Sequence, residues 1–224
     1  MRLNCPLYKK QGIHVIASIF TVQKGEIKVL LVKRKNEPFK GMWSLVGGAL
    51  YNNETLLEGL QREIFEKSGL TDIKVYPSGI FDRVDRMPNM RMIAITYVGI
   101  IDSEKVMVLK KTLKTEDSDW VSIDKVKNLA SDHNDILKKG LETLKELIVS
   151  SDILESLFPK GFTIPEVQKT YETILGKKFD RRNFRKKLLS LNLIEDTNKY
   201  VVFEGKKPAK VYKFKKGKKV KNIL

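Results

Sequence analysis

Two runs rich in β-branched residues, "IHVIASIFTV" (13–22) and "IKVLLVKR" (27–34), flank the four residues "QKGE". Apolar runs on either side of a short polar turn read as a β-hairpin, so the chain opens on sheet. "MWSLVGGAL" (42–50) predicts a short third strand that runs into a Gly-Gly break. From Glu54 the period lengthens: Leu57, Leu60 and Ile64 fall at i, i+3 and i+7, an amphipathic helix that Gly69 ends as C-cap. "IKVYPSGIFD" and "RMIAITYVGII" predict two more strands, joined by the loop "RVDRMPN". After the polar connection "KTLKTEDSD", a short strand is expected at "WVSI". The helix "DILKKGLETLKELIVSS", with Leu137, Leu141, Leu144 and Ile148 as its stripe, closes this part. Strands interleaved with two helices predict an α/β (α+β) domain over residues 1–149.

Charge divides the chain in the same place. Residues 1–150 carry 24 Lys+Arg against 19 Asp+Glu, whereas residues 151–224 carry 19 against 8. A net +11 in the shorter part, within +16 overall, calls for a polyanionic partner, nucleic acid first. The second part also has its own punctuation. "SDILESLFP" predicts a short helix stopped by Pro159 and Gly161. Thr163 followed by Glu166 is a capping box with Pro165 in the first turn, and Gly176 closes that helix. "DRRNFRKKLLSL" opens on Asp180 as N-cap, and "NLIEDTNKYVVFEGKKPAKVYKF" alternates like a hairpin with a basic loop. Three short helices followed by a hairpin is the order of a winged helix-turn-helix, expected over 150–215, with a basic tail at 216–224.

On the helix after Asp180, Phe184, Leu188 and Leu191 form one apolar stripe. Arg182, Asn183, Lys186, Lys187 and Ser190 fall opposite, with Arg181 and Arg185 on the flank. Such a face has donors for base edges and for phosphates. Lys206, Lys207 and Lys210 put further charge on the wing.

Cys5 is the chain's single cysteine, which excludes an intrachain disulfide framework and suits a reducing cytoplasm. "MRLNCPLYKKQ" lacks the apolar core of a signal peptide, and no apolar run reaches the ~18 residues that span a bilayer. No membrane partner is expected.

The chemistry-bearing stretch is "REIFEKSGL" (62–70). On a helix Glu63 and Glu66 share one face, and Lys67 lies four residues beyond Glu63 on that face. Two neighbouring carboxylates need positive charge between them. A divalent cation held by oxygens would make a metal enzyme; the Lys67 ammonium would make a quiet ion pair. Set beside Gly48 and Glu54, the spacing becomes G-x5-E-x7-R-E-I-x-E-K-x-G-L.

That pattern resembles the signature of Nudix hydrolases, G-x5-E-x7-R-E-U-x-E-E-x-G-U with U a bulky aliphatic. Upstream, "WSLVGG" looks like the family's "W-x-L-P-G-G", with Val46 in place of the proline. The resemblance implies a Nudix fold, a mixed sheet between helices. It also implies Glu54, Arg62, Glu63 and Glu66 as catalytic-box residues, and Glu63 and Glu66 as Mg²⁺ or Mn²⁺ ligands. Lys67 stands where the family has a further metal-binding glutamate, which leaves a thin ligand set. The box is therefore expected to be vestigial, with no cofactor required unless hydrolysis is retained. Glu116 or Asp117 from a distant loop would be the compensating carboxylate.

Residues 176–214 look like the winged helix of the Nudix-related transcriptional regulators. "DRMPNMRMIAITY" resembles that group's "D-R-D-P-x-x-R" strand start, with Met87 at the second aspartate, and "ASDHNDIL" its "F-D-H" helix start, with Ser131 at the aromatic position. This resemblance implies a double-stranded DNA operator read by a homodimer, and an effector such as ADP-ribose or a pentose. Gly48, Arg91 and Tyr97 are the expected effector contacts. Arg181, Arg182, Asn183, Arg185, Lys186, Lys187, Lys206 and Lys207 are the expected DNA contacts. The competing readings are an active hydrolase of ADP-ribose or another nucleoside diphosphate derivative, a bifunctional protein, and, more weakly, RNA binding through the basic tail. For the neighbours, Trp43 reads as core or pocket wall, His14 as structural, and His133 as packing or capping the closing helix. Asp85 and Arg86, in the loop, are candidates for binding an anionic or sugar ligand, against the plainer reading of a mixed-charge surface loop.

Overall fold

The computed structural model describes residues 11–202 and 207–215. Cys5, Lys206 and the 216–224 tail lie outside the described residues. The first strand, β1 (Gln11–Gln23), is long enough to serve three neighbours. It runs parallel to β5 (Arg91–Ile100) from Gln11↔Arg91 to Phe20↔Ile100. Its first half pairs antiparallel with β3 (Trp43–Ala49) and its last residues with β2 (Glu26–Arg34). With β4 (Tyr76–Phe81) and β6 (Thr115–Ser122) at the edges, the mixed sheet has the order β4-β5-β1-β3-β2-β6.

Unbroken apolar runs in β1 and β2 mean that both faces of this sheet are covered. Val15, Ala17, Ile19 and Leu30 lie under α1 (Leu56–Ser68), with Leu60 and Ile64. Ile16, Phe20, Val29 and Leu31 lie under α2 (His133–Ser150), with Ile136, Leu144 and Ile148. Leu57 is not part of the buried stripe and stands 52% exposed. Each residue turns a helix by about 100°, and Leu56 occupies the core-facing position instead. β6 also begins earlier than the apolar pattern predicts. Thr115 and Ser118 are polar but buried, and the strand pairs with β2 from Arg34↔Thr115. No apolar signal marks that stretch.

The α2-side core continues without a break into the C-terminal part, through Ile153, Leu154, Phe162 and Tyr171. A 3₁₀ turn, Ile153–Leu157, stands where a short helix was expected. α3 (Ile164–Leu175) carries the Thr163–Glu166 capping box and ends on Gly176 at φ 68°. α4 (Arg181–Ser190) starts from Asp180, whose carboxylate accepts the Asn183 N–H at 2.9 Å. β7 (Ile194–Val201) and β8 (Ala209–Phe214) form the hairpin, and Phe162 bridges to Tyr212 as a third short pairing. Tyr171 meets Phe184 edge-on at 5.7 Å, which seats α4 on α3. Among the described residues, no helix is long and apolar enough to cross a membrane.

Candidate functional site

α1 is fixed at both ends before any site chemistry is considered. Thr55 and Glu58 close a capping box, and Gly69 at φ 75° donates its N–H to Phe65. The helix lies against β3, where Gly48 has a specific reason to be glycine. A Cβ there would sit 2.3 Å from the Glu63 carboxylate. Glu63 is thereby buried against the strand.

Arg62 organises the box. Its Nε and Nη2 donate to the two Glu54 oxygens at 2.8 and 2.6 Å, a bidentate pair. Nη1 donates to Glu63 Oε1 at 2.6 Å and to Glu66 Oε2 at 3.0 Å. The guanidinium also lies over the Tyr51 ring, 3.8 Å from its centroid.

Lys67 approaches from the other side. Its Nζ is 3.1 Å from Glu63 Oε2 and also donates to the Gly47 carbonyl. A third cation, Lys114, reaches in from the loop before β6. Its Nζ is 2.5 Å from Glu66 Oε2 and 3.4 Å from Glu63 Oε1. Glu54, Glu63 and Glu66 thus face Arg62, Lys67 and Lys114, three negative charges against three positive.

The proton equilibria follow from this arrangement. The hydrogen bonds from Arg62 hold the Glu54 carboxyl down at about 2. Burial pushes the Glu63 carboxyl up, but Lys67, Arg62 and Lys114 outweigh it and the net direction is down. Burial lowers the Lys67 pKa, with Glu63 opposing.

A divalent cation fits these residues poorly. Mg²⁺ wants near-octahedral oxygens, whereas here the Glu63 and Glu66 carboxylates already carry guanidinium and ammonium partners. No group of three or more His, Cys, Asp or Glu among the described residues is placed to hold an ion. The distant loop expected to contribute Glu116 or Asp117 contributes a cation, Lys114. Glu116 instead lies 3.7 Å from Lys33. Lys114 escaped the sequence reading because nothing in "KTLKTEDSD" distinguishes one lysine from its neighbours.

A cavity of about 290 Å³ adjoins the box, lined in part by Gly47, Gly48, Glu63, Lys67 and Lys114. Arg34 and Lys35 add positive charge to its wall, and among the described residues Glu63 is the one acidic lining residue. His14 and His133 belong to its polar lining, beside Asn36, Ser44, Thr115 and Ser131. The Leu45 N–H donates to His133 Nδ1 at 3.0 Å, which places the proton of the neutral ring on Nε2. Burial pushes His133 down to about 3, and burial with the nearby Arg86 charge pushes His14 down to about 4. Both rings are neutral at physiological pH. His14 and His133, read from sequence as structural, both face the cavity.

Arg86 is not a surface residue. It is 1% exposed and donates from Nε and Nη2 to the two Asp132 oxygens, each at 2.8 Å. That pair ties the loop after β4 to the N-terminus of α2. Of the expected effector contacts, Gly48 lines the cavity. Arg91 and Tyr97 lie on the face of β5 toward α1, where Tyr97 packs on the α1-side core, and neither lines the cavity.

In the C-terminal part Arg181, Arg182, Asn183, Arg185, Lys186 and Lys187 are all exposed on α4, while Phe184 and Leu188 are buried. Lys207 is exposed beside the wing. Lys210, by contrast, is committed to Asp196 across the hairpin at 2.5 Å.

Comparison with known proteins decides the family. A model of the NUDIX domain matches residues 12–140, more than half of the chain. The chain belongs to the Nudix family. A second model, the NrtR DNA-binding winged helix domain, matches residues 155–214 of this Nudix protein. Over 211 residues it is 28% identical to the ADPR responsive transcriptional repressor NtrR of Acinetobacter baylyi, covering 92% of this chain and 83% of that protein. It is 32% identical over 127 residues to the ADP-ribose pyrophosphatase of Methanocaldococcus jannaschii, covering 56% of this chain and 73% of the enzyme. The crystal structure of Shewanella oneidensis NrtR complexed with a 27mer DNA superposes with a TM-score of 0.78 at 25% identity. That match covers 91% of this chain and 93% of the other. The Nudix fold with a C-terminal winged helix is therefore the architecture of the whole described chain.

Proposed function

We propose that this protein is a transcriptional regulator whose Nudix domain senses a small anionic effector and whose winged helix binds an operator in double-stranded DNA. The observation that carries this reading is the box itself. Lys67 and Lys114 occupy the carboxylates that hydrolysis would need for metal, while the adjoining cavity remains open and basic. A site that binds a diphosphate without cleaving it preserves its signal. ADP-ribose is the favoured effector, supported by the likeness to the Acinetobacter repressor, and repression is the favoured sense of regulation. A pentose-type sugar, with control of sugar catabolism, fits less well, because a neutral sugar makes no use of four basic side chains.

Within this reading, residues 1–149 sense, 150–215 bind DNA and 216–224 form a basic tail. Arg182, Asn183 and Lys186 enter the major groove, Arg181, Arg185 and Lys187 meet the flanking backbone, and Lys206 and Lys207 extend the contact from the wing. A homodimer on a palindromic site, in the cytoplasm, completes the proposal. Gly48 admits the effector beside Glu63. Arg91 and Tyr97, outside the cavity lining, remain proposed contacts.

The competing reading, an ADP-ribose hydrolase, draws on the intact Glu54–Arg62–Glu63–Glu66 network and on the archaeal pyrophosphatase. Fluorescence anisotropy on the promoter of the chain's own operon, with and without ADP-ribose, separates the two. The regulator reading expects an operator affinity that ADP-ribose shifts by about 1–3 kcal/mol. Absence of operator binding, with ADP-ribose consumed in Mg²⁺, would transfer the case to the hydrolase.

A further inference from the structure

We infer that Lys67 and Lys114 act together as a built-in replacement for the divalent cation of a Nudix box, and that they bind the ligand's diphosphate without metal. The inference deepens the sensor reading above and rests on it for the identity of the site.

Three features of the site carry it. The two ammonium groups come from separate elements, the last turn of α1 and the loop before β6, yet converge on Glu63, at 3.1 and 3.4 Å. Both lysines also line the cavity, so each is shared between the carboxylates behind it and the space in front. Finally, Glu63 Oε2 is buried and accepts no aligned hydrogen bond among the described residues. Lys67 faces it as a charge, while directing a hydrogen bond to the Gly47 carbonyl. An ammonium has three donor hydrogens. Lys67 therefore keeps capacity for a third acceptor, and Lys114, a third exposed, has the freedom to turn from Glu66 toward an incoming anion.

Charge balance favours the same conclusion. Arg62, Lys67 and Lys114 neutralise Glu54, Glu63 and Glu66. Of the remaining wall cations, Arg34 has the Glu37 charge nearby, outside the lining, whereas Lys35 has no acidic lining partner among the described residues. The lining itself stays net positive, four cations against Glu63 among the described residues, and a diphosphate complements that charge. A divalent ion entering here would have to displace an ammonium from each carboxylate and add two charges to an already basic wall.

The test uses the full chain and two probes that do not depend on the effector's identity. Free Mn²⁺ is followed by electron paramagnetic resonance, and inorganic pyrophosphate binding by calorimetry in excess chelator. Expected results are no Mn²⁺ binding by the parent, and pyrophosphate binding that chelator leaves unchanged. Lys114→Gln should weaken pyrophosphate by about tenfold or more, while its melting temperature stays close to the parent's. Lys114→Arg should retain most of the affinity. Stoichiometric Mn²⁺ binding lost in Glu66→Gln would overturn the inference. So would pyrophosphate binding that requires Mn²⁺, or that Lys114→Gln leaves intact. The regulator reading survives any of those results if ADP-ribose still shifts operator affinity, so the two fail separately.

Discussion

The Lys67 ammonium lies 3.1 Å from Glu63 Oε2, one helical turn along α1, while its other contact is the Gly47 carbonyl on β3. A surface pair at this spacing is worth a few tenths of a kcal/mol. This one is buried between helix and sheet, so it sets the character of the whole site.

Hydrolysis is expected to be absent. ADP-ribose incubated with Mg²⁺ or Mn²⁺ should yield no AMP by chromatography. Turnover of ~1–10³ s⁻¹, the ordinary enzymatic range, would contradict this. Lys67→Glu alone leaves Lys114 on Glu66, so Mn²⁺ affinity should rise chiefly when Lys67→Glu is combined with Lys114→Ala.

Specificity should reside on α4. The exposed Arg182 and Asn183 lie opposite the buried Phe184 and Leu188. Replacing either with Ala should cost roughly 1–3 kcal/mol and relax preference at particular base pairs. Lys207→Ala should weaken all sequences alike and lower the salt slope by about one. A double Arg182→Ala, Asn183→Ala variant as tight and selective as the parent in gel shifts would reduce this face to solvated surface.

Stability should fall as the solution is acidified below pH 6.5. His133 and His14 refuse in the fold a proton that the unfolded chain takes up at 6.5, down to about 3 and about 4 respectively. Their contribution is complete above pH 6.5 and is lost through that window, by at most about 1.4 kcal/mol per pH unit for each ring. Glu54, depressed from 4.5 to about 2, extends the loss between those values. His133→Asn keeps an acceptor for the Leu45 N–H without the titration. Its urea-denaturation stability should therefore change less than the parent's between pH 6.5 and 4; parallel profiles would refute the assignment.

The junction between the two parts should be sensitive to one oxygen. The Tyr171 hydroxyl on α3 donates to the Ile148 carbonyl near the end of α2 at 2.7 Å, in a buried setting. Tyr171→Phe should cost about 1–3 kcal/mol by stranding that carbonyl. Calorimetry should still record one cooperative transition, because the α2-side core is shared. Two separate transitions in the parent would show that the shared core does not couple the parts.

Much of this was legible from the chain. Caps announce themselves locally, so Thr163–Glu166, Asp180 and Gly69 fell where their residue types put them. The box could be read because helical spacing alone brings Arg62, Glu63, Glu66 and Lys67 together. Lys114 could not be, since its approach to Glu66 depends on where β6 begins, and β6 starts on buried polar residues. Arg86 misled for a related reason. In "RVDRMPN" it looks solvated, and its partner Asp132 lies 46 residues on.

α2 begins at His133 on the cavity wall and ends at Ser150, where the winged helix starts. Eighteen residues at about 1.5 Å each make a rigid arm of about 27 Å. If an effector tilts that arm by ~5° about its cavity end, simple trigonometry moves the far end by ~2 Å. In the paired form proposed above, two such arms would change the separation of the two recognition helices by up to ~4 Å, against a half-site spacing of ~34 Å. Shared between the two helices, a displacement of that size moves each by roughly half of the ~3.4 Å base-pair step. The length of a single helix would thus amplify an adjustment of a few degrees around a diphosphate into a misfit of about half a base-pair step at each half-site.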